Sequence, residues 1–369
     1  MSIAKKILNL DGPFNMRCGG VLQSPIIVYE TWGELEGRGE NAILLFTGLS
    51  PSAHATSSLE DPSPGWWEDM VGPGRPIDTN HYFVICVNSL GSCFGSTGPA
   101  SINPETGELY RLNFPVLTIE DIAHSGHEVL RHLKIDRLHA VVGSSMAGMT
   151  ALAFCLLYPG ISNSLVAISS SMHALPFAIA LRSLQREIVR NDPDWNGGNY
   201  EPGFGPISGM RLARKLGMTT YRSAQEWEGR FGRERISAEL QTKDPFGISF
   251  LVESYLQKHA NKFTGQFDPN CYLYLSRAMD LFDVSEYGES IEEGLNNIDL
   301  RRVLIVGVTT DILFPIHQQR ELADALDKVV DVDNVQFIKL DSIYGHDSFL
   351  VDMDKFSPVI GKFFESSST

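Results

Sequence analysis

Residues 141–149 place a serine where a strand pattern gives way to a helix pattern. A serine on such a sharp turn is a nucleophile elbow, because the turn holds the hydroxyl clear of the sheet. The usual spelling is G-x-S-x-G, but Ala147 stands at the last place and Gly148 follows it. The stretch therefore predicts Ser145 as a nucleophile, with an ordinary serine in a strand-to-helix turn as the alternative.

Two residues that could activate this serine follow predicted strands later in the chain. A serine hydroxyl needs a base to take its proton and a carboxylate to orient that base. Asp311 closely follows the apolar run 302–308, and His346 lies in the loop after the run 335–340. The order Ser, Asp, His is that of α/β-hydrolase folds. We expect these three residues to form a catalytic triad. The alternative is a helix-capping aspartate and a solvated histidine.

Such a triad also needs an oxyanion hole, a set of N–H donors aimed at the negative charge that develops on the substrate oxygen. One donor is ordinarily the backbone N–H after the nucleophile, which is that of Met146. The other comes from the turn after an early strand. Leu49 lies in that turn, after the apolar run 41–47, and we predict its N–H as the second donor.

Metal and phosphate sites are weaker candidates. His124, His127 and His132 share one predicted helix, but a solvated or packed face is favoured over ligation, and no metal is expected. The five cysteines are odd in number and lack C-x-x-C spacing, so neither disulfides nor zinc are indicated. The glycine-rich stretch 91–98 lacks the G-K-[ST] of a P-loop.

Two further groups of side chains have a structural and a functional interpretation. Arg211, Arg214 and Lys215 could meet the phosphates of a coenzyme, although a solvated helix face is favoured. The pair Trp66 and Trp67 is interpreted as packing in the core or lid rather than as a sugar platform.

Composition excludes several classes of protein. The chain has 369 residues, of which 43% are hydrophobic and 20% charged, as in globular domains. The formal net charge of −15 argues against nucleic acid and anionic membranes as partners. No apolar run approaches the roughly 20 residues that span a bilayer, and residues 1–11 lack the apolar core of a secretory signal. We therefore expect a cytoplasmic protein.

The elements that must position these residues alternate between strand and helix. Strands are predicted at 25–32, 41–47, 82–87, 138–143, 164–169, 302–308 and 335–340, and the runs 41–47 and 82–87 are apolar enough for buried strands of a parallel sheet. Thr118 and Asp121 predict a helix start. We predict an α/β-hydrolase fold at 1–170 and 298–369, with a mostly parallel sheet flanked by helices. A helical insertion at 171–297 would form a lid.

From about residue 20 to residue 364, the chain resembles the homoserine/serine O-acyltransferase family of α/β-hydrolase enzymes. The stretches that carry this likeness are 29–33, 65–67, 72–74, 95–99, 102–104, 220–223, 230–233, 252–256, 272–280 and 345–347. The elbow departs from the family's usual G-x-S-M-G-G-M at Ala147. This departure bears on the geometry of the turn and not on the nucleophile.

The resemblance implies transfer of an acyl group from acyl-CoA to the hydroxyl of an amino acid, through an acyl group carried on Ser145. Acyl-CoA would be a co-substrate, and no permanently bound cofactor is implied. In that picture Arg222 holds the carboxylate of the acceptor and Asp347 holds its ammonium group. The resemblance also implies a homodimer built through the helical insertion.

The chain is most similar to the serine-acylating branch of that family. Family members that succinylate homoserine share Asp-Trp-Arg-Phe after the triad aspartate, whereas this chain has Ile312 and Leu313 at the middle places. The stretches that resemble the serine branch are 87–93, 174–177, 182–187 and 195–198. In that branch Pro51, Ser52, Ala53 and His54 would narrow the acceptor pocket.

The donor is the last question that the resemblance leaves open. Arg182, at the start of the helical insertion, could pair with a succinyl carboxylate or with a nearby acid of the protein. Transfer of a succinyl group from succinyl-CoA to L-serine, in cysteine synthesis, is the first expectation. The alternatives are O-acetyl transfer to L-serine or L-homoserine, in cysteine or methionine synthesis, and an esterase on the same fold.

Overall fold

The computed structural model describes residues 4–241, 243–330 and 334–366. Residues 1–3, where the stretch examined for a secretory signal begins, lie outside these ranges. The strands are β1 (Lys6–Asn9), β2 (Pro13–Asn15), β3 (Val21–Gln23), β4 (Ile26–Trp32), β5 (Ala42–Phe46), β6 (Val71–Gly72), β7 (Ile77–Asp78), β8 (Phe83–Val87), β9 (Ala140–Ser144), β10 (Ser164–Ile168), β11 (Arg302–Val308) and β12 (Val335–Leu340).

Eight of these strands form one sheet in the order β1-β4-β8-β5-β9-β10-β11-β12. Every pair from β8 to β12 in that order is parallel, whereas β4 runs antiparallel to both β8 and β1. The strands β2 and β3 form a hairpin, and β6 and β7 form a separate short pair. The mostly parallel sheet that the apolar runs predicted is thus confirmed.

The α-helices flank this sheet or lie in the insertion. They are α1 (Ile119–Leu133), α2 (Met146–Leu157), α3 (Pro176–Arg190), α4 (Ile207–Tyr221), α5 (Ala224–Phe231), α6 (Leu251–Phe263), α7 (Pro269–Leu281), α8 (Ile291–Leu295), α9 (Ile316–Leu326), α10 (Ser348–Val351) and α11 (Met353–Glu365). Among the described residues, none of these helices has the length and apolar character to cross a bilayer.

The core has two layers, one on each face of the sheet. Along β5, Leu44 and Phe46 pack into one apolar cluster, and Ile43 and Leu45 pack into the other. The first cluster includes residues of α1, α2 and α9, and the second includes residues of α10 and α11. Because both faces are covered, the central strands β5, β8, β9 and β10 are buried at every position.

The predicted start of α1 is confirmed by its hydrogen bonds. The backbone N–H of Asp121 donates to Thr118 Oγ1 at 3.3 Å, and the Asp121 carboxylate accepts the N–H of Thr118 at 2.8 Å. This reciprocal capping box satisfies N–H groups that the first turn of a helix leaves without intrahelical partners. It fixes α1, which packs on α2, the helix that follows the predicted nucleophile.

Along the chain, the helices α3 to α8 come between β10 and β11, which are neighbours in the sheet. The chain leaves after β10 and returns at β11, which pairs with β10 in parallel. Within this insertion, α3 packs on α4 and α7, and α4 packs on α6. The described helices α3, α4, α6 and α7 of the insertion therefore pack on one another.

Candidate active site

Ser145 occupies a strained turn between β9 and α2. Its φ of 58° and ψ of −126° lie outside the regions that an L-residue ordinarily adopts. The backbone on both sides is held in place, because the N–H of Ser145 donates to the carbonyl of Ile168 at 2.8 Å and its carbonyl accepts the hydroxyl of Ser170 at 3.0 Å. Strain of this kind persists only where the surroundings fix it, as at functional sites.

The neighbours of Ser145 show which small residues the turn requires. A Cβ at Gly143 would lie 2.0 Å from the Ala147 carbonyl oxygen, and a Cβ at Gly148 would lie 2.5 Å from Ser170 Cβ. Ala147 is buried as the second residue of α2. Its backbone is helical, so the turn does not require the conformational freedom of glycine at this place. The elbow therefore forms with alanine where glycine is usual.

The structure brings Ser145, His346 and Asp311 into one hydrogen-bonded chain. Ser145 Oγ lies 2.8 Å from His346 Nε2, and His346 Nδ1 lies 2.7 Å from Asp311 Oδ2. The other carboxylate oxygen of Asp311 accepts the N–H groups of Leu313 and Phe314 at 2.9 and 3.0 Å. Because the carboxylate can only accept, Nδ1 carries the proton and Nε2 is free to accept the serine proton.

The charges around His346 favour the imidazolium form of its side chain. Burial alone would lower the pKa of His346, but the carboxylates of Asp311 and Asp347 outweigh burial and raise this pKa above its ordinary value. Burial also raises the pKa of Asp347, against the opposing charge of Arg222. His346 thus has the hydrogen-bond partner and the local potential to hold a proton taken from Ser145.

A cavity of about 360 Å³ opens above the serine. Its walls come from the ends of the sheet and from α3, α4 and α7 of the insertion. Leu49 lines this cavity beside Ser145. Met146 is the first residue of α2, a position at which the N–H has no intrahelical acceptor. Of the two residues predicted to supply oxyanion-hole donors, Leu49 thus lines the cavity with Ser145, and Met146 follows Ser145 at the start of α2.

Arg222 and Asp347 are paired with each other in the structure. Arg222 Nε donates to Asp347 Oδ2 at 3.0 Å, and a second guanidinium nitrogen lies 3.9 Å from Glu226. Asp347 lines the cavity, whereas Arg222 lines a neighbouring cleft. The pair thus stands at the boundary of the cavity, and Asp347 directly follows His346 in the chain.

Arg182 lines the same cavity from α3 and is held by an acid from α7. Its Nε donates to Asp280 Oδ1 at 2.6 Å. The side chain is 9% exposed, and its Nη2 is buried without a hydrogen-bond partner among the described residues. Both sequence interpretations of Arg182 therefore have a structural counterpart: an acid of the protein and a cationic donor group at the cavity wall.

Of the predicted acceptor-pocket residues, only Pro51 lines the cavity in the described structure. The carbonyl of Ser52 accepts the indole N–H of Trp66 at 3.0 Å, and the N–H of Ala53 donates to Asn88 Oδ1. His54 lies 2.8 Å from the buried Glu30 and makes no contribution to the cavity lining. These three residues hold the turn that presents Pro51.

The basic group predicted on one helix face divides in the structure. Arg214 lines the cavity, with its guanidinium 4.4 Å from the centre of the Phe263 ring. Lys215 instead donates to Gln257, and Arg211 donates to Ser208. Sequence reasoning therefore weighted Arg214 too lightly, because helical periodicity alone does not show which face meets a cavity.

Two cavity-lining tyrosines were not singled out from the sequence, Tyr221 and Tyr272. Both stand inside stretches that carried the family resemblance, which was the available signal. Trp66 also lines the cavity and stacks on the buried Trp67, with ring centres 5.2 Å apart. The interpretation of this pair as packing therefore fits Trp67, whereas Trp66 is shared between packing and the cavity.

The histidines of α1 lie away from this cavity. The ring of His127 stacks on Tyr158 at 3.9 Å, in keeping with the packed face that the sequence favoured. Sequence reasoning overlooked Glu128, however, which brings a ligand atom within 4.8 Å of those of His124 and His127. Glu128 also pairs with Arg131 at 3.0 Å. His132 does not belong to this group.

Comparison with known proteins agrees with this geometry. Residues 41–352 match the family model for the alpha/beta hydrolase fold. A protein of Litchfieldella anticariensis named serine O-succinyltransferase is 56% identical over the full length of both chains. A protein of the same name from Stenotrophomonas maltophilia is 56% identical over 97% of this chain and 96% of its own.

Solved structures with the same fold include a transferase and a hydrolase. The homoserine O-acetyltransferase of Bacillus anthracis superposes with a TM-score of 0.88 at 28% identity, covering 97% of this chain and 96% of its own. Esterase E22 superposes with a TM-score of 0.86 at 26% identity, covering 97% of this chain and 99% of its own.

Proposed function

This chain belongs to the alpha/beta hydrolase fold family, and on that premise we propose that it transfers a succinyl group from succinyl-CoA to the hydroxyl of L-serine. The observation that carries the proposal is the hydrogen-bonded chain from Ser145 through His346 to Asp311, which opens onto a cavity with cationic walls. The full-length likeness to proteins named serine O-succinyltransferase supports the choice of donor and acceptor.

The first half of the reaction loads the serine. Ser145 Oγ attacks the thioester carbonyl carbon while its proton passes to His346 Nε2. The backbone N–H groups of Leu49 and Met146 stabilise the oxyanion that forms. The tetrahedral intermediate then collapses, the carbon–sulfur bond breaks, and the imidazolium returns its proton to the departing thiol. Asp311 keeps the imidazole in the tautomer that this exchange requires.

The second half unloads the acyl group onto the amino acid. His346 takes the proton of the hydroxyl of the substrate L-serine, and the oxygen of that hydroxyl attacks the acyl carbon. The bond from the acyl carbon to Ser145 Oγ then breaks, and the imidazolium returns its proton to Ser145 Oγ. Arg222 binds the carboxylate of the amino acid and Asp347 binds its ammonium group, so the ion pair between them opens when the zwitterion enters. The layer of helices over the cavity limits the entry of water, which would otherwise hydrolyse the acyl-enzyme.

Arg182 gives the cavity its preference for a succinyl group. A guanidinium binds a carboxylate strongly when both are shielded from water, and Arg182 has a buried Nη2 at the cavity wall that no described residue accepts a hydrogen bond from. Acyl-CoA is a co-substrate that leaves after each turnover. The enzyme works in the cytoplasm as a homodimer joined through the helical insertion.

The test is a four-way panel that combines L-serine or L-homoserine with succinyl-CoA or acetyl-CoA. We expect L-serine with succinyl-CoA to give the highest kcat/KM and an O-succinylserine product by mass spectrometry. Replacing Arg182 with Met should reduce kcat/KM for succinyl-CoA by roughly ten- to hundredfold more than for acetyl-CoA, because a charge-assisted hydrogen bond is lost.

Three outcomes would contradict the proposal or a part of it. A clear preference for homoserine or acetyl-CoA would replace it with O-acetyl transfer or homoserine acylation. Rapid hydrolysis of succinyl-CoA and of simple esters in the absence of an amino acid would indicate an esterase, an activity that the shared fold also permits. Equal losses with both donors in the Arg182→Met variant would remove the role of Arg182.

A further inference from the structure

Two arginines of α3 share one carboxylate behind the cavity wall. Arg182 Nε donates to Asp280 Oδ1, and Arg186 Nη2 lies 2.6 Å from Asp280 Oδ2. The side chain of Arg182 is 9% exposed, that of Arg186 is 14% exposed, and that of Asp280 is 1% exposed. Two positive charges and one negative charge are therefore buried together.

The two arginines face different hollows of the molecule. Arg182 lines the cavity that contains Ser145, whereas Arg186 lines a separate groove together with Arg190. Arg186 Nη1 is also 3.4 Å from the hydroxyl of Ser276. The buried Nη2 of Arg182 donates to no described residue. Of the two arginines, the one with this unpaired nitrogen is therefore the one that lines the cavity with Ser145.

The shared carboxylate leaves a charge unbalanced. A buried ion is tolerated when it is paired, and a single carboxylate can neutralise only one of two guanidinium groups. If Asp280 served Arg182 alone, that pair would be neutral. Because Arg186 contacts the same carboxylate, the group keeps an excess positive charge beside the cavity. An incoming carboxylate would complete a balanced group of four ions.

We propose that Arg186, which does not line the cavity, determines donor specificity by selecting acyl groups that end in a carboxylate. It acts through Arg182: by sharing Asp280, it leaves the charge of Arg182 available to the far carboxylate of a dicarboxylic acyl group. Arg186 is thus a positioning residue that does not touch the donor. The inference rests on the proposed function, which supplies the thioester donor.

The test compares succinyl-CoA with butyryl-CoA, which has a methyl group where succinyl-CoA has a carboxylate. In the Arg186→Met variant, we expect KM for succinyl-CoA to rise roughly tenfold or more, as for a weakened charge-assisted contact, with little change in kcat. Kinetic constants for butyryl-CoA should stay the same. Arg186→Lys, which keeps the charge, should restore most of the preference.

A matched control is Arg190→Met. Arg190 lies one turn further along α3 in the same groove, with its guanidinium over the Trp195 ring at 5.4 Å. Among the described residues it forms no hydrogen bond or ion pair with Asp280, so its loss should leave the ratio of kcat/KM for the two donors unchanged. Melting temperatures of all variants show whether a change in kinetics reflects a change in folding.

Binding measured without turnover separates this inference from the proposed function. Calorimetry on Ser145→Ala, with and without Arg186→Met, gives the Kd for succinyl-CoA and butyryl-CoA. A ratio of the two Kd values that Arg186→Met leaves unchanged would overturn the inference, as would equal losses with both donors. Suppose that wild-type protein fails to acylate serine while Arg186→Met still lowers the ratio of the Kd for butyryl-CoA to the Kd for succinyl-CoA. In that case the proposed acceptor is wrong and the role of Arg186 stands.

Discussion

The turns at the carboxyl ends of β9 and β11, here called the sheet edge, and the helical insertion hold their cavity residues in different ways. At the sheet edge, Ser145 and Asp311 are fixed by backbone hydrogen bonds on strand-ending turns, and Asp311 alone accepts two N–H groups. In the insertion, Arg182 is fixed by another side chain, Asp280, which comes from a different helix. One region is held by backbone geometry and the other by charge.

This difference explains how one fold can serve several reactions. Backbone donors and strained turns hold reacting atoms within a few tenths of an ångström, which covalent catalysis requires. Ion pairs between helices can be exchanged one residue at a time without disturbing the sheet. We therefore expect substitutions at the sheet edge to abolish chemistry and substitutions in the insertion to change which substrates bind.

The largest expected effect is that of Ser145→Ala. Without the hydroxyl no acyl-enzyme can form, so kcat should fall by roughly four to six orders of magnitude. Intact-mass spectrometry after mixing with succinyl-CoA should show a succinyl adduct on the wild type and none on the variant. An adduct that persists in Ser145→Ala would place the nucleophile elsewhere.

Asp311→Asn tests the other end of the hydrogen-bonded chain. The amide cannot offer two anionic acceptors, so His346 loses the partner that holds its tautomer, and kcat should fall by roughly ten-thousandfold. The fold should survive, because the amide oxygen of Asn can still accept the N–H groups of Leu313 and Phe314, which both donate to Oδ1 of Asp311. Circular dichroism and the rate of CoA release check the two parts. A loss of less than tenfold would mean that Asp311 does not orient His346.

Arg222→Met tests the insertion side of the comparison. We expect KM for L-serine to rise roughly ten- to hundredfold, since a charged partner of the acceptor carboxylate is removed. The rate of acylation by succinyl-CoA should hardly change. Arg230→Met is the control, because Arg230 contacts the same Glu226 at 3.4 Å but, among the described residues, forms no ion pair with Asp347, which lines the cavity. Equal losses in acylation and in transfer would contradict the division between the two regions.

Asp347→Asn acts on both regions, and pH separates its effects. His346 must be neutral to accept a proton, and its raised pKa places the acid limb of acylation above the pH expected for an unperturbed imidazole. Asp347 favours the imidazolium, so its neutralisation should lower the pKa of His346 and move this limb to lower pH. The measurement is the burst of CoA release without amino acid across pH. A limb that moves upward would contradict the assignment.

The sequence predicted the sheet edge better than the insertion for a physical reason. The bounds of β11 and β12, Arg302–Val308 and Val335–Leu340, coincide with the predicted strands, because short runs rich in Val and Ile between loop residues are a strong local signal for strands. The triad residues follow such strands, so their places could be inferred from topology. Arg182 and Asp280 are 98 positions apart on two amphipathic helices, and no local pattern indicates that they meet.

The smallest expected effect is that of Ala147→Gly, which restores the usual elbow spelling. Ala147 has a helical backbone, so glycine would add flexibility without relieving strain, and the free energy of unfolding should fall by about 1 kcal/mol. We expect kcat to change by less than roughly twofold, since the N–H of Met146 stays in place. Denaturant titration and steady-state kinetics check both values.

Gly148→Ala is the contrasting variant. The new Cβ would lie 2.5 Å from Ser170 Cβ, and this clash should reduce both stability and kcat. A tenfold gain in kcat for Ala147→Gly would mean that the alanine distorts the turn, and backbone geometry at the sheet edge would then tune the rate as well as permit it.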